Sequence, residues 1–145
     1  MKFFVFQLLG VALISALGCA STFSDPTGKH NSLEEAHRRY TELVRWGEIE
    51  RASAFVDPEL QEEYLGFAAA FDGIRFTDFE TGSLQFHDET DTATVIVVYH
   101  AYSLTTLIEK RIREYQQWYR DGNLSNTWHV RPDLRQIVAG VTGSP

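Results

Sequence analysis

The chain holds one cysteine, Cys19. A lone cysteine cannot close an internal disulfide, so the fold must rest on a packed core rather than on covalent staples. Basic side chains are also scarce, 13 Lys and Arg against 20 Asp and Glu, a formal net charge of −7. Arg111, Arg113 and Arg120 alternate with Glu109, Glu114 and Asp121, so no basic stripe forms and no nucleic-acid partner is expected. The five histidines show no His-x-x-x-His spacing and no acidic residue in metal-triad spacing, which argues against a metal site. A glycine-rich phosphate loop, a Gly-x-Ser-x-Gly elbow and a Cys/His pair are all missing, so no cofactor and no catalytic residue is assigned. No apolar run reaches the roughly 20 residues that a membrane-spanning helix needs.

What is present begins with an N-terminal address. Lys2 precedes an almost unbroken apolar run over residues 3–17. That length suits the hydrophobic region of a secretion signal. Directly after it stands Ala16-Leu17-Gly18-Cys19-Ala20-Ser21. This stretch resembles the lipobox of bacterial lipoproteins, with Gly18 in its usual place and Ala16 where leucine is commoner. The resemblance implies that residues 1–18 are a lipoprotein signal peptide and that Cys19 becomes the first residue. It further implies a diacylglyceryl thioether on Cys19 and a further acyl chain, such as palmitate, on its amine. Two or three chains anchor a protein far more firmly than a single one. Ala20 and Ser21 stand where an aspartate would retain such a protein at the inner membrane. The resemblance therefore implies the periplasmic leaflet of the outer membrane. Removing residues 1–18 takes away Lys2 and no acidic residue, which moves the net charge from −7 to −8.

Residues 19–31 read as a flexible tether with little that could pack, and about a dozen such residues give a mean reach near 20 Å. The remaining length fits one domain, and 43% apolar residues with 13% aromatic are ample for one core. Ser32-Leu33-Glu34-Glu35 has the form of a capping box. Leu33, Ala36, Tyr40, Leu43 and Val44 then recur at helical spacing up to Gly47. A second helix is predicted over 48–56. A third should start at Asp57-Pro58, with Leu60, Tyr64, Phe67 and Phe71 as its stripe. Residues 74–77 and 83–87 alternate as strands, and Gly82 between them suggests a bulge. Residues 92–102 are apolar and β-branched on both parities, the mark of a central strand.

Residues 106–120 are ambiguous from their pattern. Ile108, Ile112, Tyr115 and Tyr119 make a helical stripe, while Ile108, Ile112 and Trp118 share one strand parity. Three helices followed by long strands, with Tyr115-Gln116-Gln117-Trp118-Tyr119-Arg120, Trp128-His129-Val130 and Pro132-Asp133-Leu134, resemble small bacterial lipoproteins of the nuclear transport factor 2-like superfamily. That resemblance implies a strand at 106–120. It also implies an α+β domain over 32–134, with N-terminal helices packed on a strongly curved antiparallel sheet of about four strands. A cone-shaped pocket and homodimers through the open sheet face are further features of such relatives. Residues 135–145, with Gly140, Gly143 and a final proline, read as a frayed tail.

Tyr99, His100, Tyr102 and Trp118 are the candidate ligand-binding residues, with Tyr99 on the opposite strand face from His100 and Tyr102. Asp78, Glu114, Tyr40 and Tyr64 are further polar candidates, and His37 in Ala36-His37-Arg38-Arg39 reads as part of a solvated helix face. Trp118 and Trp128 are expected to pack across paired strands. Two functions remain in view. One is a non-enzymatic envelope module that binds a partner protein, a small apolar ligand or a piece of envelope polymer. The other is a small isomerase or hydrolase with a His or Asp base, which requires a buried carboxylate or imidazole beside a donor.

Overall fold

A computed structural model describes residues 27–122 and 125–143. The signal segment, Cys19 and most of the tether lie outside the described residues. At the centre, β3 (Thr92–Ser103) and β4 (Glu109–Arg120) pair antiparallel from Thr92↔Tyr119 to Tyr102↔Glu109. Ala93, Val95, Val97, Tyr99 and Ala101 of β3 are buried, as are Ile112, Glu114, Gln116 and Trp118 of β4. Period two therefore wins over the helical stripe at 106–120. Tyr115 of that stripe is 48% exposed, while Ile108, which belongs to both patterns, lies just before a strand that begins at Glu109 rather than at 106. The reason is tertiary: β3 would otherwise leave one edge of N–H and C=O groups unpaired.

The sheet has five strands in the order β1-β3-β4-β5, with β2 also beside β3. Strands β1 (Ile74–Thr81) and β2 (Gln85–His87) lie end to end along one edge of β3. The register shifts between Phe76 and Asp78, so the bulge sits at Thr77 rather than at Gly82. Gly82 serves a close approach instead: its N–H donates to the Ile96 carbonyl at 2.9 Å, and a Cβ there would stand 3.2 Å from that oxygen. Strand β5 (Trp128–Arg131) closes the other edge, and Trp118 and Trp128 are both buried there.

The helices depart from the sequence reading in four places. Helix α1 (Lys29–Arg45) starts three residues before the expected capping box, so residues 29–31 belong to the helix and not to the tether. Ser32 is no N-cap; its hydroxyl donates to the Lys29 carbonyl at 2.9 Å and accepts from Trp128 Nε1 at 3.0 Å. A long-range contact has outbid the local one. The start of α1 is pinned by Lys29 to Asp88 (3.1 Å) and Asp91, and Arg120 holds Asp91 at 2.7 Å. Its end is as the sequence indicates: Gly47 at φ 72 donates to Val44 O and Glu48 N–H donates to Leu43 O, a Schellman closure. Secondly, His37 is buried rather than solvated.

Thirdly, α2 (Ile49–Ala52) runs into a 3₁₀ turn, Ser53–Phe55, and the predicted third helix is split into α3 (Gln61–Gly66) and α4 (Ala68–Phe71). Asp57 does not launch it from Pro58. Its carboxylate accepts from Glu59 N–H at 3.0 Å and from Arg131 Nε at 2.7 Å, which ties the turn to β5. Fourthly, the tail is a helix, α5 (Leu134–Thr142), and not a frayed end. Asp133 caps it by accepting from Gln136 N–H at 3.0 Å, and Leu134, Ile137 and Val141 are buried. Gly140 presses on β4, where a Cβ would meet Ile112 Cγ1 and Cγ2 at 3.0 Å.

Helices from both ends of the chain thus cover one face of the sheet, since Tyr40 of α1 and Gly140 of α5 both touch inward-facing residues of β4. The described residues leave the other face, which carries Ile96 and Tyr115, to solvent. No described helix is long and apolar enough to cross a membrane. Ile137 is 0% exposed, so Ile137→Ala should lower unfolding stability by about 2–4 kcal/mol in urea titrations. A frayed tail would show no change.

Candidate functional site

The inward face of β4 carries two polar residues in the middle of an apolar stripe, Ile112, Glu114, Gln116 and Trp118. Their partners across β3 are Tyr99, Val97, Val95 and Ala93, and the small Ala93 faces the large Trp118. Helix α1 closes over them with His37, Tyr40 and Thr41. Tyr40 meets the Trp118 ring edge-on at 5.8 Å, and His37 meets it at 6.0 Å. His37 Nε2 and Thr41 Oγ1 lie 3.5 Å apart.

Glu114 is the centre of this group and is completely buried. Gln116 Nε2 donates to its Oε2 at 2.7 Å, and the backbone N–H of Asp133 donates to its Oε1 at 3.2 Å. Gln116 in turn accepts from Trp118 Nε1 at 3.1 Å. This chain of three hydrogen bonds orients the Gln116 amide and leaves it no freedom to turn over. Both donors favour the charged carboxylate, yet burial outweighs them and pushes the Glu114 carboxyl up to about 7. The phenols of Tyr40, Tyr64 and Tyr99 are buried around it, with the Tyr40 and Tyr64 hydroxyls beside each other and the Tyr99 hydroxyl beside Glu114 and Thr41. Burial and then the Glu114 charge raise Tyr40 and Tyr99 well above the usual phenol range. Burial also holds His37 down to about 4, so its imidazole is neutral at neutral pH.

A surface cleft of about 350 Å³ lies in front of this group, between α3 and the turn that starts α5. Leu60, Phe67 and Leu134 form its apolar walls, and Tyr64 and Asp133 stand at its inner side. Tyr64 and Asp133 therefore border both the cleft and the Glu114 group. Glu63 of α3 and Arg135 of α5, which also line the cleft, are joined by an ion pair of 2.9 Å. Both side chains are largely exposed, so this link is weak, worth at most about 1 kcal/mol. The arrangement can hold an apolar body in the cleft, with the Tyr64 hydroxyl buried behind its wall and the Asp133 N–H already given to Glu114.

The four sequence candidates do not converge. Tyr99 and Trp118 are buried on the inner face, and the Tyr99 hydroxyl is enclosed rather than at the sheet margin. His100 and Tyr102 lie on the outer face, where His100 Nε2 is 2.9 Å from Glu80 Oε1 and pairs across the sheet with Arg111. Of the further candidates, Glu114, Tyr40 and Tyr64 come together, and Asp78 lies on the outer face with His100. Gln116, Thr41 and Asp133 were not singled out from the sequence. Once 109–120 is a strand, Gln116 shares parity with Ile112, Glu114 and Trp118, and that signal was legible. Among the described residues no cluster of three metal-ligating side chains occurs.

The raised Glu114 carboxyl makes a signed prediction. Its folded pKa of about 7 exceeds an unfolded value near 4.5, so its protonated form favours the folded state. That stability is fully present below about pH 4.5 and is lost as pH rises through 7, a total of about 3 kcal/mol. His37 acts in the opposite sense between pH 4 and 6.5, but it is common to wild type and variant. The stability difference between wild type and Glu114→Gln should therefore fall steadily from pH 4.5 to 7, measured by urea unfolding at each pH. A flat difference would mean that Glu114 is ionised throughout.

Comparison with protein-family models, with curated proteins and with solved structures finds no match to this chain.

Proposed function

We infer that this chain is a lipid-anchored, periplasm-facing envelope lipoprotein whose domain binds a small apolar ligand. Cys19 carries the acyl chains and holds the domain at the outer membrane. The ligand lies in the cleft between α3 and α5, with its apolar body against Leu60, Phe67 and Leu134. Its one polar group reaches the inner end, where Tyr64 and the Asp133 backbone lead to Glu114. The observation that carries this reading is the fully buried Glu114 with three buried phenols around it, beside a cleft that Tyr64 and Asp133 also line. A core that served stability alone gains nothing from a desolvated carboxyl, because apolar side chains of the same volume would hold it as well or better. Bending of the sheet into the cone of nuclear transport factor 2-like domains belongs to the same proposal.

Binding is favoured over catalysis by the partners of Glu114. Its hydrogen bonds come from a side-chain amide and a backbone N–H, neither of which relays a proton, and burial holds the Tyr99 phenol beside it protonated well above the usual phenol range. The second reading is a small isomerase or hydrolase. It is favoured by one observation, a carboxyl poised at about 7, since general acid–base catalysis works best near the ambient pH. In that reading Glu114 exchanges a proton with a substrate that has displaced Tyr64 from the cleft wall.

Mass spectrometry of the mature chain should show a diacylglyceryl thioether on Cys19. Full chain extracted from its native membranes in mild detergent should carry one bound species of defined mass in native mass spectrometry. Phe67→Ala should lower its occupancy about tenfold, which corresponds to about 1.4 kcal/mol, with an unchanged circular dichroism spectrum. A chain that emerges empty and takes up no phenylnaphthylamine, a neutral apolar fluorophore, refutes the ligand-binding reading.

A further inference from the structure

A second cleft, of about 320 Å³, opens on the outer face of the sheet, away from Glu114. Ala93 and Trp118 face inward, so Thr92, Thr94, Gln117, Tyr119 and Arg131 carry their side chains on the opposite side. The pairing of Thr94 with Gln117 and of Gln117 with Arg131 sets these three in one row across β3, β4 and β5. Among the described residues Arg131 is the only cation that lines the cleft, and it is held from two sides. The buried Asp57 carboxylate accepts from its Nε at 2.7 Å, and its guanidinium carbon stands 5.2 Å from the centre of the Tyr119 ring. Both Nη groups are without a hydrogen bond among the described residues, and the side chain is 53% exposed. The rotamer freedom that an arginine ordinarily gives up on binding is thus already lost to the fold, while its terminal donors stay available.

The rest of the lining decides what chemistry fits. One guanidinium, partly offset by Asp57, suits a single negative charge, and the planar fork of a carboxylate matches it. A phosphate would need a second cation, and Arg120, the next residue after Tyr119, is taken by Asp91 at 2.7 Å. Thr92, Thr94 and Gln117 each offer a donor and an acceptor, which matches hydroxyl groups and gives nothing to a hydrocarbon chain. A peptide strand would need an open edge beside the cleft, and β2 and β5 take both sides of the β3–β4 pair here. Two strand spacings, about 10 Å, separate Arg131 from Thr94, a gap that one pyranose with its substituents fills. About 7 Å further along the strands, Tyr115 and its partner Ile96 form an exposed apolar shelf. A sugar ring has the same division, with hydroxyls around its rim and C–H groups on its face, and the face of a tyrosine ring attracts such C–H groups.

We propose that the outer-face cleft binds an acidic sugar, a pyranose carrying one carboxylate, either free or as a unit of a polysaccharide. Arg131 holds the carboxylate, Gln117 and Thr94 hydrogen-bond the ring hydroxyls, and the next ring of a chain lies on Tyr115. This site shares no lining residue with the cleft between α3 and α5. It rests neither on the apolar ligand nor on the Cys19 anchor inferred above.

The test titrates the full chain in mild detergent with D-glucuronic acid, with D-glucose as the uncharged ring and with acetate as the carboxylate without a ring. Nitrogen-15 NMR should show glucuronate shifting the Gln117 side-chain amide and the Arg131 Nε–H signals. Glucuronate should bind about tenfold or more tightly than glucose or acetate. A disaccharide of glucuronate and N-acetylglucosamine should bind more tightly still, and Tyr115→Ala should remove that gain. Gln117→Ala should weaken glucuronate about tenfold with an unchanged thermal midpoint. Arg131→Lys, which keeps a charge beside Asp57 but not the fork, should weaken it at least as much. Phe67→Ala, in the other cleft, should leave it unchanged. Glucuronate that binds no better than glucose, acetate or inorganic phosphate overturns the proposal. So does binding that survives Gln117→Ala, or shifts that fall around α3 and α5 instead. A chain that takes up phenylnaphthylamine but gives no response to any sugar keeps the apolar-ligand reading and loses this one.

Discussion

The structure depends on one constraint, the unbroken pairing of β3 with β4 over eleven consecutive residue pairs. Pairing of that length fixes which side chains of β4 face inward, because a slip of one residue would send every one of them to the other face. It places Ile112, Glu114, Gln116 and Trp118 in the interior and Arg111, Arg113, Tyr115 and Gln117 outside. The reverse register would expose Trp118 and bury two arginines. The apolar alternation of β3 and the burial of Trp118 therefore carry Glu114 inward with them.

Its environment then makes Glu114 unlike the other acids of the chain. Glu35 and Glu42 pair with Arg38 in water on α1, where such contacts are worth little. Among the described residues Glu114 pairs with no cation and is held by an amide and a backbone N–H, with the Tyr99 phenol beside it. That N–H belongs to Asp133, whose own side chain caps α5. One residue thus links the interior carboxyl to the start of the C-terminal helix, and the same junction forms one wall of the cleft. The exposed Glu63–Arg135 ion pair joins the two sides of the same cleft.

The molecule is also polar from end to end. Lys29, Asp88, Asp91 and Arg120 form a charged clamp where the tether enters. The far end is the β3–β4 turn, where Leu104, Leu107 and Ile108 are exposed and Leu107 takes a left-handed backbone.

The local sequence determined the elements whose signals were self-contained. The Schellman end of α1 at Gly47, the apolar run of β3 and the alternation of β1 were all legible, because each follows from a few neighbouring residues. Other features were written in the chain but masked by a competing signal. Leu134, Ile137 and Val141 repeat at helical spacing, yet Gly140, Gly143 and the final proline read as a breaker-rich tail. Gly140 turned out to serve close packing against Ile112. Ser32 had the form of a cap, and only the arrival of Trp128 from the other end of the chain gave its hydroxyl a different partner.

By itself, then, the sequence determined the class of the domain, the run of its central strand and the place of the lone cysteine after an apolar stretch. Tertiary structure alone decided whether 106–120 would be helix or strand, since its residues satisfy both periods and only the edge of β3 supplies the missing hydrogen bonds. It also decided which polar side chains would meet. Tyr99 and His100 are neighbours in sequence and lie on opposite faces, while Tyr40, Tyr64, Tyr99 and Glu114 come from four separate elements and gather in one interior. Side-chain direction along a strand follows from pairing, and pairing is a property of the whole chain.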